Sequence, residues 1–511
     1  MRCRFIVALL LAWTRATVGT IAPQPVQAHV ATDAALQRLP RYLGFTLDWW
    51  PVQGRDPQGW GNASLLSIDL TNARLRSLSR SLGPVTLRVG GSLDNIVQYL
   101  VGAMTPAACE RSIPFRGSSY SLCLNVTRWT ELLGFVSRDL APGSALVFGL
   151  QLALGGENGS TGPWNSTNVL DFLALAAASA DAGVIAGFEV GEETTPSPTS
   201  AGWPYLIEAY RGIHAEVARL WPAAASRPRI GGPCGGMGTN TAPFPWTRPF
   251  TDAVMKDAEG PLIDDFVMHS YNNDGGHGWT VPGFLNETAS QAQQLRAFLD
   301  GYSGPTIPLV CGECGPHNGG GIANVTDRAI SSFWFTDALL SPPLLGVSRF
   351  YRQSLAGGHY SLLRSIDRSF SPNPDYFAAY VFATLAGPTL TLLNVTVTSG
   401  VQPSLRVYGM CAAGNGGGVV IAWVNIDATA AFSLTVDPSL GANRMEYHLE
   451  PSAGNILSPT LMLNGMPLVV SGNDAPALVG VAGDVGAPLL IAPRTFGYAA
   501  FADAAAPACL S

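Results

Sequence analysis

The stretch Ile185-Ala-Gly-Phe-Glu-Val-Gly-Glu-Glu193 is a short apolar run ending in two carboxylates, and helical spacing of apolar residues resumes over 206–220. A run this short fits a strand buried on both faces, so the segment reads as strand, polar tip and helix. Working outward, the same unit recurs. Apolar runs at 43–47, 85–89, 145–150, 229–231, 266–269, 307–310 and 347–351 join 185–190 to make eight, and helical spacing lies between them at 129–140, 170–182, 289–299 and 328–338. Strand alternating with helix eight times predicts an α/β protein built on a closed parallel (β/α)8 barrel, the TIM barrel, over residues 40–384.

After 384 the period changes. Short alternating segments at 389–397, 405–410, 418–424, 431–436, 467–470 and 489–491 are separated by Gly and Pro without helical spacing. They predict an antiparallel β-sandwich over residues 385–511, with residues 28–39 a candidate for one more strand of it. Hydrophobic residues make up 47% of the chain and charged ones 13%. That is ample material for a large core and excludes a disordered chain.

The formal net charge is −7 and Lys and Arg form no run, so the basic footprint of a nucleic-acid or anionic-membrane partner is missing. Arg2 and Arg4, the apolar stretch 5–13 and small residues at 16–20 read as a secretory signal over residues 1–20, cleaved between 16 and 28. The apolar stretch is shorter than the roughly 20 residues that cross a bilayer, so no stable membrane insertion is expected. Sequons at Asn62, Asn125, Asn158, Asn165, Asn286, Asn324 and Asn394 predict an N-glycosylated protein that is secreted, extracellular or in a lysosome-like compartment.

Cys3 lies in the signal, leaving seven cysteines and therefore at least one unpaired thiol. The pairs expected are Cys109 with Cys123, stapling one loop, and Cys411 with Cys509, bracketing the C-terminal segment. The pairing of Cys234, Cys311 and Cys314 stays open. Cys311-Gly-Glu-Cys314 has the spacing of a redox or zinc site, but no second C-x-x-C or paired His completes a metal site. Nor does the sequence show the exposed, activated thiol that redox chemistry needs.

A β/α barrel carries its active site at the C-terminal ends of its strands, so the polar residues just past each apolar run are candidates. They are Asp48, residues 88–92 including Ser92, Glu192 and Glu193, His269 and Tyr271, Glu313, and Arg352 with Gln353. Two carboxylates across one barrel mouth can protonate a leaving oxygen and attack an anomeric carbon, as hydrolysis of a glycosidic bond requires. Glu193 and Glu313, in Gly-flanked motifs, fit those roles, and no metal or organic cofactor is implied. Trp49, Trp50, Trp60, Trp164 and Trp279 are candidates for stacking on sugar rings.

The segments Gly44-Phe-Thr-Leu-Asp-Trp-Trp-Pro51, Trp60-Gly-Asn-Ala-Ser-Leu-Leu66, Leu87-Arg-Val-Gly-Gly-Ser92, Arg352-Gln-Ser-Leu-Ala-Gly-Gly-His-Tyr360 and Pro372-Asn-Pro-Asp-Tyr376 occur in that order. Through them nearly the whole mature chain resembles the heparanase-like glycoside hydrolases, family 79, which include β-glucuronidases. The resemblance implies a retaining mechanism, with Glu193 in Phe188-Glu-Val-Gly-Glu-Glu193 as acid/base and Glu313 in Leu309-Val-Cys-Gly-Glu313 as nucleophile. Tyr271, in His269-Ser-Tyr271, is implied to hydrogen-bond that nucleophile. Gly358 and Tyr360 match the loop that recognises a uronic carboxylate, and Asp48, Ser92, His269 and Gln353 are implied to lie around the same sugar. One departure is Glu192, where the family has Asn. A charged Glu192 would disfavour ionisation of Glu193 and put an acceptor in place of an amide donor.

The implied partner is a glucuronic-acid-containing glycan or a glucuronide. Without basic clusters for a sulfated chain, exo action is expected; the segment between the second and third strands lacks the long excised linker of heparanase, so the resemblance implies a single uncut chain, expected to be a monomer. Two other readings stand beside it: an endo-acting heparanase-type enzyme, and a glycan-binding barrel that has lost catalysis, the latter favoured by Glu192.

Overall fold

The structure, a computed structural model, describes residues 22–50, 60–152, 164, 166–193, 198–236, 244–273, 278–302, 307–366, 368–414, 416–441, 443–484 and 486–510. The expected signal, Pro51 and the sequons at Asn158 and Asn165 lie outside the described residues.

The eight apolar runs are eight parallel strands: β1 Leu43–Leu47, β2 Thr86–Val89, β3 Ala145–Leu150, β4 Ile185–Val190, β5 Arg229–Gly235, β6 Asp265–Tyr271, β7 Leu309–Gly315 and β8 Val347–Arg352. Each pairs with its neighbours in chain order, and β8 pairs with β1 to close the barrel. The helices that follow successive strands are α1 Ala73–Ser81, α2 Val126–Gly134, α3 Ser166–Ala178, α4 Trp203–Leu220, α5 Thr247–Met255, α6 Pro282–Asp300, α7 Ala329–Leu340 and α8 Pro374–Ala386. Helix α4 shows why they form: Leu206, Tyr210, Ile213 and Val217 recur every three or four residues and are buried together.

Three strands outrun their apolar pattern: β5 runs on to Gly235, β6 to Tyr271 and β7 to Gly315. In β6 and β7, Ser270 and Tyr271 still pair with Cys314 and Gly315, so Glu313, expected just past the seventh strand, lies inside it. The side chains turn polar where they face the barrel mouth, but backbone pairing does not require apolar side chains. At the opposite end of the barrel a cavity of about 960 Å³ opens among Gly187, Gly231, Asp265, Arg349 and Tyr351 and reaches inward to Glu189.

Apart from three short two-stranded ladders, the remaining strands form two sheets. One contains Gln37–Pro40, Thr389–Leu393, Leu405–Cys411, Val419–Asn425, Thr495–Phe501 and Met445–Pro451; the other contains Val395–Ser399, Gln24–Val30, Phe432–Val436 and Leu489–Ile491. Val26, Ile421, Trp423, Phe432, Ile491 and Phe501 share one apolar cluster between them. The single strand read at 389–397 is two, because the chain changes sheets at Asn394. The N-terminal segment supplies two strands. Gln24–Val30 runs parallel to Phe432–Val436, one parallel pairing in an otherwise antiparallel sandwich.

Helix α7 joins the lobes. All its residues are buried, its polar Ser331, Ser332 and Asp337 being hydrogen-bonded there, and Phe333 meets Phe496 of the larger sheet with ring centroids 5.1 Å apart. Its first amides, which no helix can satisfy internally, donate to the carbonyls of Ser458 and Ile456.

Candidate active site

Arg88, mid-strand in β2, is completely buried and points into the barrel. Its Nε donates to Glu189 Oε2 at 2.7 Å, Nη2 to Glu192 Oε2 at 2.6 Å and Nη1 to Glu313 Oε2 at 2.8 Å. Three carboxylates from β4, the turn after it and β7 are thus gathered on one guanidinium, the planar fork suited to such a task.

Glu313 reaches this position through a β-bulge. Met268 pairs with Cys311 and His269 with Glu313, leaving Gly312 as the extra residue. A Cβ there would lie 2.3 Å from Val267 Cγ1, so only glycine fits. A disulfide joins Cys311 to Cys314 across the bulge, and both side chains lie in the apolar layer with Met268, Phe335 and Phe350. The other oxygen of Glu313, Oε1, accepts from Tyr271 Oη at 2.5 Å.

Glu193 sits on the turn after β4 with φ +48, its amide donating to the Cys234 carbonyl at 2.8 Å. Its side chain is 33% exposed, with Oε1 3.1 Å from His269 Nδ1 and Oε2 3.4 Å from Ser92 Oγ. Glu192, Glu193, His269 and Glu313 offer ligand atoms within 4.8 Å of one another. A metal ion could find four donors in that spacing, but Arg88 already supplies a cation there.

Across the mouth, Gln353 Nε2 donates to Asp48 Oδ2 at 3.2 Å, and the Trp50 amide to Asp48 Oδ1 at 2.9 Å. Tyr360 is buried edge-on against Trp60, its carbonyl accepting from Arg352 at 2.8 Å. Gly358, φ +75, is followed by His359, whose amide donates to the Gly320 carbonyl. Three buried polar atoms of this mouth, Glu192 Oε1, His269 Nε2 and Gln353 Oε1, have no hydrogen-bond partner among the described residues, though Glu192 Oε1 lies 3.6 Å from His269 Nδ1. Buried polar atoms are rarely left so unless a ligand or water completes them.

A model described as the N-terminal domain of glycosyl hydrolase family 79 matches residues 27–340. The chain belongs to that family. Heparanase-like protein 3 of Arabidopsis thaliana is 28% identical, covering 92% of this chain and 91% of its own. Baicalin-β-D-glucuronidase of Scutellaria baicalensis is 26% identical, covering 94% and 92%. Among solved structures, the 4-O-α-L-rhamnosyl-β-D-glucuronidase of Fusarium oxysporum 12S shares the fold at a TM-score of 0.60 with 12% identity, covering 92% of this chain and 99% of its own.

In this family 79 glycoside hydrolase the mouth brings together the strand-end and loop candidates marked in the sequence, though not every tryptophan, together with two acids that reading missed. The two are Glu189 and Asp94, which with the already marked Arg88 form its buried charged floor; the signal for Glu189 was a charge inside an otherwise apolar strand. The expectation for Glu192 is corrected. Burial above all, with Glu313, Asp94 and Glu193 nearby, outweighs Arg88 and pushes its carboxyl well above the usual range. A protonated Glu192 is a donor rather than an added negative charge. Three of the five tryptophans are also corrected: Trp49, Trp60 and Trp279 are buried core, with Trp49 Nε1 donating to Asp94. The expected disulfides Cys109–Cys123 and Cys411–Cys509 are present, and Cys234 is a buried free thiol.

Proposed function

We propose that this hydrolase is a secreted, retaining exo-β-glucuronidase that removes glucuronic acid from glycans or small glucuronides. The observation that carries the reading is the approach of Glu193 and Glu313, with carboxylate oxygens within 4.8 Å. Retaining pairs stand about 5–5.5 Å apart, whereas inverting pairs stand about 6.5–9.5 Å apart to admit a water.

Glu313 suits the nucleophile. Burial alone would raise its carboxyl, but His269, Arg88 and hydrogen bonds from Glu192 and Tyr271 hold it down to about 2. It is therefore ionised at any ordinary working pH. Glu193, reached by solvent, suits the acid/base. Glu313 Oε attacks the anomeric carbon while Glu193 gives its proton to the departing glycosidic oxygen. Glu193 then takes a proton from water, whose oxygen attacks the same carbon and expels Glu313, so two inversions restore the configuration. Tyr360, His269, Gln353 and Asp48 line the sugar side, with Tyr360 and Gly358 the groups for a uronic carboxylate. The relation to a plant β-D-glucuronidase supports that sugar. Three disulfides and exposed sequons at Asn125, Asn286, Asn324 and Asn394 support a secretory route.

The test is chromophore release from an aryl β-glucuronide across about pH 3 to 7, beside the aryl β-glucoside and Glu313→Ala. Turnover of the glucuronide alone, lost in the variant, with β-glucuronic acid as first product, is expected. No turnover with glycan binding retained would overturn the proposal.

A further inference from the structure

We infer that Arg116 forms a leaving-group subsite and selects glucuronides whose aglycone carries an anionic group, a carboxylate or sulfate, close to the glycosidic oxygen. This rests on the proposed acid/base role of Glu193, because the group that protonates a glycosidic oxygen stands on the leaving-group side of the bond.

Arg116 comes to that side on a hairpin between β2 and α2. Strands Ile113–Phe115 and Ser118–Tyr120 pair antiparallel, and Arg116-Gly117 forms the two-residue turn, with φ +48 and +72. Such a turn favours Asn or Asp at its first position and disfavours a long side chain there. An arginine in that conformation points to a use for its side chain. The hairpin is tethered to the barrel: Cys109–Cys123 closes the excursion at its base, and Tyr120 packs edge-on against Trp50, with centroids 6.0 Å apart.

The guanidinium lies over the buried Phe115 ring at 5.2 Å. Its Nη1 donates to Ser92 Oγ at 3.0 Å and Nη2 to the Glu193 carbonyl at 3.3 Å. Ser92 Oγ in turn stands 3.4 Å from Glu193 Oε2. Two contacts leave the rest of its five N–H groups without an acceptor among the described residues, on an exposed residue. Arg88 and Arg352, by contrast, are fully buried and committed to carboxylates. Arg116 is thus a cation that an aglycone can reach beside the acid/base, in a mouth otherwise rich in carboxylates.

The experiment compares kcat and KM of the wild type, Arg116→Ala and Arg116→Lys on two aryl β-glucuronides, one with a ring carboxylate and one with a neutral amide at the same position. Arg116→Ala is expected to lower kcat/KM on the carboxylate substrate by about five- to tenfold, mainly through KM, and on the amide by much less. Lys is expected to restore part of the preference, and added salt to erase it in the wild type. Equal losses on both substrates, or none, would overturn the inference while leaving the glucuronidase reading intact. A wild type inactive on both would overturn that reading, and this inference with it.

Discussion

Arg88 has one positive charge for three carboxylates, which decides the protonation of its neighbours. Glu192 is the member whose carboxyl is pushed up, and a proton there leaves Glu313 the ionised one. If so, Glu192→Gln, neutral and still a donor, keeps kcat within about threefold of wild type, whereas Glu192→Ala loses about tenfold or more. Gln as damaging as Ala would show that a carboxylate is needed. Asp48 is raised to about 7, first by burial and then by the charge of Glu313. Gly91 lets this happen: a Cβ there would lie 2.4 Å from Asp48 Oδ1. Because its folded pKa is raised, Asp48 is neutral below about 7 while the unfolded chain already ionises near 3.9, so its burial costs stability increasingly as pH rises between those values. Above 7 a second negative charge appears beside Glu313. We therefore expect an alkaline limb in kcat/KM that Asp48→Asn moves to higher pH; a limb left in place by the variant would refute this. These protonation states were not legible in the sequence, which lists the acids without their distances.

Strand β7 is the element on which the chemistry turns. Its bulge places Gly312 and Glu313 toward the lumen and leaves Cys311 and Cys314 in the outer apolar layer, so the disulfide closes the back of the bulge. Read as sequence, C-x-x-C suggested a redox or metal pattern; as structure it is a clip behind a carboxylate. Cys311→Ser with Cys314→Ser is expected to keep the fold but lower kcat by about tenfold with little change in KM, since small misplacements of a reacting group are costly. Near-wild-type kcat in a fully reduced or serine variant would refute a positioning role. Elements with strong apolar runs, such as β3 and β4, were legible to the residue. The ends of β5, β6 and β7 were not, because glycine, proline and polar residues break the apolar run there.

At the scale of the molecule, barrel and sandwich share α7. Asp337 of that helix is buried and accepts from Tyr408 of the larger sheet and from Ser341. Tyr408→Phe removes one donor from a buried carboxylate and is expected to cost about 1–3 kcal/mol. Calorimetry should show one cooperative transition at a lower temperature, and two separated transitions would show that the lobes unfold independently. The barrel itself was determined by the sequence alone, because burial of a strand on both faces and of a helix on one leaves a periodic record in the residue order. The two carboxylates were marked there as candidates, through their place near the ends of β4 and β7 on opposite sides of the mouth and through the motifs around them. Tertiary structure alone decided which side chains share a charge, which sheet each half of 389–397 enters, and that a hairpin inserted after β2 returns Arg116 to Glu193. Those outcomes depend on contacts between residues tens to hundreds of positions apart, and a local pattern keeps no trace of them.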